Sequence, residues 1–234
     1  MDIQIFNKDC LEGMALIESS SIDLIVADPP YNMGKDYGDS SDKQSESSFI
    51  CFTGEWMDLA IRALKPTGSI YVFMGYGYIA DLFLIMKRRG LLFNSWITWH
   101  FTQGVGRTRG FSSRHEDILF FNKSEDFRFY LSQIRVPQKA ERSINNPAGA
   151  NPGNVWSIPH IHHNKVEKED HPTQKPEEVI TRIIKASSSY GDLVLDPFSG
   201  SGTTAKVCKD TERKFIGFEK NTTYFNNSIK RISR

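Results

Sequence analysis

A chain of 234 residues, 39% hydrophobic and 24% charged, is long enough for one sizeable α/β core with room for a small inserted lobe. No apolar run approaches transmembrane length and the N-terminus lacks a signal-peptide pattern, which argues against a membrane protein and points to the cytoplasm. The formal net charge of +1 neither demands nor excludes a nucleic-acid partner, so any such surface must come from local clustering of charge. The three cysteines, Cys10, Cys51 and Cys208, are widely spaced and form neither a zinc pattern nor a disulfide framework, so buried thiols are expected.

In chain order, residues 3–6 read as a strand and 11–17 as a short helix, joined by the polar turn Asn7-Lys8-Asp9-Cys10. Residues 22–27 are apolar and rich in β-branched side chains, the pattern of a buried strand. That strand runs into Asp28-Pro29-Pro30-Tyr31. Two prolines stop the hydrogen-bond ladder, and because neither offers an N–H the carbonyls of Asp28 and Pro29 face outward. A carboxylate, rigid carbonyls and an aromatic ring together suit a planar amine, with the acceptors taking its hydrogens and the ring covering its face. An ordinary strand-to-loop turn uses the same dipeptides. Residues 34–48 are almost all polar or glycine and read as a mobile loop, either a lid or an idle excursion. Apolar residues recur at helical spacing over 52–64, and Lys65-Pro66-Thr67-Gly68 reads as a stop. A strand is expected at 69–74, a helix at 78–89 ended by Gly90, and an aromatic strand at 93–101. Strand and helix in alternation argue for a parallel sheet covered by helices.

The pattern breaks from about 102 to 166. Gly104-Val105-Gly106-Arg107-Thr108-Arg109-Gly110 is rich in glycine and arginine, and Arg114, Arg128, Arg135, Lys139 and Arg142 continue the basic character. Phe111, Phe127, Phe129, Tyr130 and Trp156 are interleaved with them. Arginines among glycines can approach phosphates or fork onto a guanine edge, and aromatics can stack on exposed bases. Glu116, Asp117, Glu125, Asp126 and Glu141 dilute the charge, and a solvated basic face is the plainer reading. Residues 145–154 are turn chemistry throughout. His160, His162 and His163 lack further ligands at metal spacing and read as surface histidines, with no metal site expected.

Beyond His171, Pro176 at a first helical position followed by Glu177 and Glu178 marks a helix start. The strand 193–195 runs into Asp196-Pro197-Phe198-Ser199-Gly200-Ser201-Gly202-Thr203-Thr204. Its glycine pair between strand and helix allows close approach to a ligand. A further strand at 215–218 ends on Glu219, about twenty residues on, where an acid is the expected partner for ribose hydroxyls. The turn is not GxGxxG and opens with an acid, so a cationic nucleoside suits it better than a pyrophosphate.

On these motifs the chain resembles the amino-group DNA methyltransferases. Asp28-Pro29-Pro30-Tyr31 is similar to their catalytic motif, and Asp196-Pro197-Phe198-Ser199-Gly200-Ser201-Gly202 to their S-adenosylmethionine motif. His171-Pro172-Thr173-Gln174-Lys175-Pro176 is similar to the segment preceding the latter. Catalytic motif first and cofactor motif last resembles the β group, a circular permutation of the usual order. The resemblance implies an α/β Rossmann-like methyltransferase fold with a mainly parallel central sheet flanked by helices. It implies residues 1–101 as the catalytic half, 102–166 as a small inserted target-recognition region, and 167–234 as the cofactor-binding half.

It implies site roles as well. Phe198, Gly200 and Gly202, with Pro197 and Thr203 in the same turn, would shape the methionine side of the cofactor pocket. Thr173, Gln174 and Lys175 would hold the cofactor carboxylate. Glu219 would bind ribose, Asp9 and Cys10 would flank adenine, and Asp196 would favour the cofactor's cationic groups. Tyr31 would stack on a base flipped from double-stranded DNA while Asp28 and the Pro29 carbonyl hold its amino group beside Pro30. Asp in the first motif position usually accompanies adenine, and Ser the cytosine 4-amino group. Arg107, Arg109 and Arg114 are the expected DNA contacts. An RNA or protein-amide methyltransferase, a cytosine 4-amino enzyme and a silent cofactor-binding partner are the alternatives. A homodimer is a further expectation, and any restriction endonuclease would be a separate polypeptide.

Overall fold

In the computed structural model, residues 2–35, 42–104, 106–138, 147–161 and 167–234 are described. Among them, eight strands form one sheet: β1 (Ile3–Phe6), β2 (Ile22–Ala27), β3 (Leu64–Met74), β4 (Leu92–His100), β5 (His115–Asn122), β6 (Val155–Ser157), β7 (Leu193–Asp196) and β8 (Lys214–Phe218). The helices are α1 (Cys10–Ala15), α2 (Glu46–Ala63), α3 (Ile79–Arg88), α4 (Glu177–Ser187), α5 (Thr203–Asp210) and α6 (Thr222–Ser233). The order across the sheet is β1-β8-β7-β2-β3-β5-β4-β6, and β5 alone runs antiparallel to its neighbours β3 and β4. The mainly parallel α/β sheet flanked by helices is the expected architecture.

Period-2 alternation along buried strands divides the core into two layers. Ile25, Ala27, Ile70, Val72 and Phe121 face α1, α2 and α3, where Met14, Trp56, Met57 and Leu82 pack. Leu24, Val26, Tyr71, Phe73, Ile118 and Phe120 face α4 and α5, against Val179, Ile183 and Val207.

Several boundaries differ from the sequence expectation. α2 begins at Glu46, inside the stretch read as a loop, because Ser45 caps it by accepting from Ser48 N at 3.2 Å. Residues 36–41 of that loop lie outside the described residues. Lys65-Pro66-Thr67-Gly68 is not a turn: β3 starts directly at Leu64, and the register shift against β2 between Ile22 and Leu24 absorbs these residues and admits the proline. α1 is shorter than 11–17, and Pro176 is the N-cap of α4 rather than its first helical residue. Cys10 and Cys208 are buried as expected, but Cys51 is exposed on α2.

The span 102–166 is not wholly an insertion. It contributes β6 and, in β5, a strand whose residues 117–122 are all buried. The charges around it hid it, since the apolar run between Asp117 and Asn122 is only four residues long and sits in a stretch that reads as a charged surface. Much of the basic and aromatic pattern there serves packing. Arg128 pairs with Asp192 at 3.1 Å, Arg135 donates to the Gly149 carbonyl at 2.7 Å, and Phe127 and Phe129 pack on Phe120. Lys139, Glu141, Arg142, His162 and His163 lie outside the described residues. His160 is partly buried rather than free on the surface, its ring 3.9 Å from that of Phe101.

Candidate active site

β2 and β7 are parallel neighbours, with Leu24 beside Val194 and Ile25 beside Leu195. The turns that follow them therefore leave the carboxyl edge of the sheet side by side, where ligands collect in open α/β sheets. One turn carries Asp28-Pro29-Pro30-Tyr31, and the other runs from Asp196 to Thr203. A crevice of about 490 Å³ opens between them, within the range of small-molecule sites. Its walls include Asp9, Cys10, Asp28, Pro30, Thr173, Gln174, Lys175, Pro197, Phe198, Gly200, Thr203 and Glu219. Residues 42–44 line it as well, held by hydrogen bonds from Met33 N and Lys35 N to the Asp42 carboxylate and from Gln44 N to the Asn32 side chain.

Four of the expected catalytic and cofactor residues do not line this crevice: Pro29, Tyr31, Asp196 and Gly202. The Asp196 carboxylate is spent inside the turn, accepting from Phe198 N at 2.9 Å and the Thr204 hydroxyl at 2.6 Å. Burial pushes its pKa up to about 7, partly offset by the Thr204 bond. Gly202 is left-handed at φ 74 and abuts α6, where an added Cβ would come 2.8 Å from Ser228 Cβ. Gly200, on the crevice wall, is also tightly placed, with an added Cβ 3.1 Å from His171 Nε2.

The acid after β8 organises this turn. Glu219 accepts from Gly200 N and Asn221 N, both at 2.8 Å, so one carboxylate ties the two loops. Asp9 caps α1 by accepting from Leu11 N at 2.9 Å. Burial, then the nearby Asp9, raises the Cys10 thiol to about 12, so it remains protonated. The Gln174 amide is occupied by the Glu167 carbonyl at 2.5 Å and Glu169 N at 2.7 Å, and thus shapes its own segment. His171 falls to about 3 through burial and the neighbouring Lys175, so it stands neutral beside the glycine turn.

Lys175 differs most from expectation. Its ammonium is buried and bridges two carboxylates, Asp28 at 3.0 Å and Glu116 at 3.1 Å. Tyr31 completes the cluster, donating to Asp28 at 2.8 Å and lying 3.1 Å from Glu116, with Lys175 5.2 Å from its ring centroid. Although 23% of the Asp28 side chain still faces the crevice, enclosure raises its pKa, with Lys175 lowering it and Glu116 raising it. For Lys175, burial alone acts downward but the two carboxylates outweigh it, and the ammonium is held charged. Glu116 escaped the sequence reading, which took it only as a charge that dilutes a basic region. The available signal was its place in β5: it shares the inward face with Ile118 and Phe120, where a carboxylate needs a partner. A second cavity of about 840 Å³ adjoins the first and is lined by Glu116, His160 and Lys175 among others.

Residues 101–114 link β4 to β5 at the same edge, since His100 pairs with His115 just beyond Met74 and Asp117. Arg107 donates to the Tyr76 hydroxyl at 3.1 Å, Arg114 donates to the Gly104 carbonyl at 3.0 Å, and Arg109 is exposed. Phe111 between them is 99% exposed.

A DNA methylase family profile matches residues 22–230. The chain belongs to this family of DNA methylases. It is 48% identical to the Type II methyltransferase M.HpaI of Haemophilus parainfluenzae over 99% of this chain and 74% of that one. Identity to the DNA adenine methyltransferase YhdJ of Escherichia coli (strain K12) is 37%, over 97% of this chain and 82% of that one. The solved complex of M1.HpyAVI with SAM is similar at a TM-score of 0.71 and 25% identity, covering 99% of each chain. The Asp28-Pro29-Pro30-Tyr31 turn follows β2 and the Asp196–Thr203 turn leaves β7, two neighbours in one sheet. Among the described residues no helix is long and apolar enough to cross a membrane.

Proposed function

We propose that the chain is a site-specific DNA methyltransferase that uses S-adenosylmethionine to methylate the 6-amino group of a flipped-out adenine. The observation that carries this reading is the placement of the Asp28 carboxylate on the wall of the crevice framed by Gly200 and Glu219. The crevice suits the cofactor on its own evidence. The Ser199 hydroxyl in its wall is buried without a hydrogen-bond partner, and a side chain at Gly200 would crowd His171. When bound there, S-adenosylmethionine supplies a methyl electrophile on a sulfonium centre. Glu219 would accept from ribose hydroxyls, Asp9 and Cys10 would flank the purine, and neutral His171 adds no charge against a cation. Thr173 and Lys175, which line the crevice, would donate to the methionine carboxylate.

The adjoining cavity, which shares Lys175 with the crevice, gives an extruded base a place to enter. An adenine amino lone pair is delocalised into its ring and is a weak nucleophile. Hydrogen bonds to Asp28 and the Pro29 carbonyl favour a pyramidal nitrogen with its lone pair directed at the methyl group, so positioning and electrostatics do most of the work. Asp28 need not be a strong base, because the methylated amine sheds its proton readily. The loop with Arg107, Arg109 and exposed Phe111 overhangs this edge and would meet the duplex.

The family takes in enzymes for both adenine and cytosine amino groups. Adenine is favoured by Asp rather than Ser at position 28 and by the likeness to YhdJ. Labelled methyl incorporation into DNA, RNA and protein tests the assignment. The expected product is labelled DNA from the wild type and none from Asp28→Ala, with cofactor binding kept; label only in RNA or protein overturns it.

A further inference from the structure

In this resting arrangement both oxygens of Asp28 are already engaged. Oδ1 accepts from Tyr31 at 2.8 Å, and Oδ2 pairs with Lys175 at 3.0 Å. An incoming amino group offers one hydrogen to Asp28 and so competes with the Tyr31 or the Lys175 donor there; both donors are enclosed by protein, where an unpaired donor is costly. Glu116 Oε2 stands 3.1 Å from the Tyr31 hydroxyl and 3.1 Å from the Lys175 ammonium. A carboxylate oxygen has two lone pairs, so it can keep both donors at once.

We propose that Glu116 is a positioning residue that holds both the Tyr31 hydroxyl and the Lys175 ammonium, so that whichever of them the target amino group displaces from Asp28 keeps a partner. The exchange needs no proton transfer and no large movement, because both donors already touch the carboxylate they would keep. It also frees the Tyr31 ring to turn onto the base while its hydroxyl stays anchored. Two carboxylates with one ammonium leave a net negative charge, which suits the positive charge that develops on the amino nitrogen during transfer. The inference rests on the proposed amino-methylation and holds equally for an adenine or a cytosine amino group.

The charged and titratable groups facing Glu116 are Tyr31 after β2, Lys175 before α4, Asp28 and, beyond β6, His160, on which Glu116 also acts. Glu116 raises the Asp28 pKa, so Glu116→Gln moves the acid limb of the kcat profile to lower pH. The test measures kcat against pH for wild type, Glu116→Gln, Glu116→Asp, Tyr31→Phe and the Glu116→Gln/Tyr31→Phe pair, with cofactor affinity by calorimetry. Glu116→Gln is expected to lose roughly 100-fold in kcat at unchanged cofactor affinity. Glu116→Asp keeps the charge, guards against a folding artefact and recovers part of the loss. With the Tyr31 hydroxyl gone there is one donor fewer to retain, so Glu116→Gln costs less in the Tyr31→Phe background. Wild-type kcat and an unmoved acid limb in Glu116→Gln overturn the proposal, as does an identical loss in both backgrounds. A wild type that methylates no DNA overturns the function reading itself, and this inference with it.

Discussion

The Lys175 ammonium lies 3.0 Å from the Asp28 carboxylate, so the segment before α4 reaches back to the turn after β2 and favours the ionised form of its acid. Burial, and then Glu116, raises the Asp28 pKa, and the Lys175 charge is the main force against that rise. Replacing Lys175 with Met therefore lets the Asp28 pKa climb further. Activity at neutral pH should fall, with the acid limb of the pH–rate profile displaced upward and partial recovery in alkaline buffer. Lys175→Arg keeps the charge and should displace that limb less. Steady-state rates across pH 6 to about 9.5 check this, below the ordinary lysine range, so the wild-type ammonium stays charged throughout.

The two glycines of the cofactor-type turn should respond differently to alanine. Gly200→Ala presses on the His171 ring from φ 49 and narrows the crevice, so cofactor affinity should drop, by about tenfold. Gly202→Ala meets the backbone-proximal atoms of Ser228 on α6 from φ 74 and should destabilise the fold by about 1–3 kcal/mol. Calorimetry on the first and chemical denaturation on the second separate the two effects.

Asp196 gives stability a pH dependence of known sign. Its pKa rises on folding from an ordinary 3.8 to about 7, because burial disfavours the charged form. The stabilisation from a protonated Asp196 is complete below 3.8 and is lost as pH rises through about 7. Asp196→Asn removes that loss, so the difference in melting temperature between variant and wild type should move in the variant's favour from pH 5 to pH 8. A pH-independent difference would count against the assignment.

Periodicity and turn chemistry made most of the sheet legible before the structure. Residues 22–27 and 193–195 announced themselves as buried strands, and Asp28-Pro29-Pro30 marked where one of them ends. What stayed hidden depends on contacts between distant segments. β5 lies between charges that read as surface, and its burial comes from pairing with β3 and β4 and from the helices that cover both faces. Glu116 and Lys175 are 3.1 Å apart through folding alone, and no spacing rule links them. Tyr31 likewise read as a stacking ring, whereas its hydroxyl is bonded to Asp28.

The β4–β5 loop yields a prediction about DNA. Converting Arg107, Arg109 and Arg114 together to Ala should weaken duplex binding and flatten its dependence on salt, by about one unit of slope for each phosphate that is no longer neutralised. Arg114 also fastens the loop to Gly104, so its single variant should loosen the loop as well as lower affinity. Binding isotherms at several salt concentrations read out both; unchanged affinity and unchanged target choice in the triple variant would remove this loop from recognition.

The most direct test of the central claim is long-read mapping of modified bases in DNA from cells expressing the protein beside cells expressing Asp28→Ala. The account predicts N6-methyladenine at one recurring sequence context in the first sample and its absence from the second. Methylation confined to cytosine amino groups would contradict the adenine assignment, and an unmodified genome under a folded, expressed protein would contradict the methyl transfer itself.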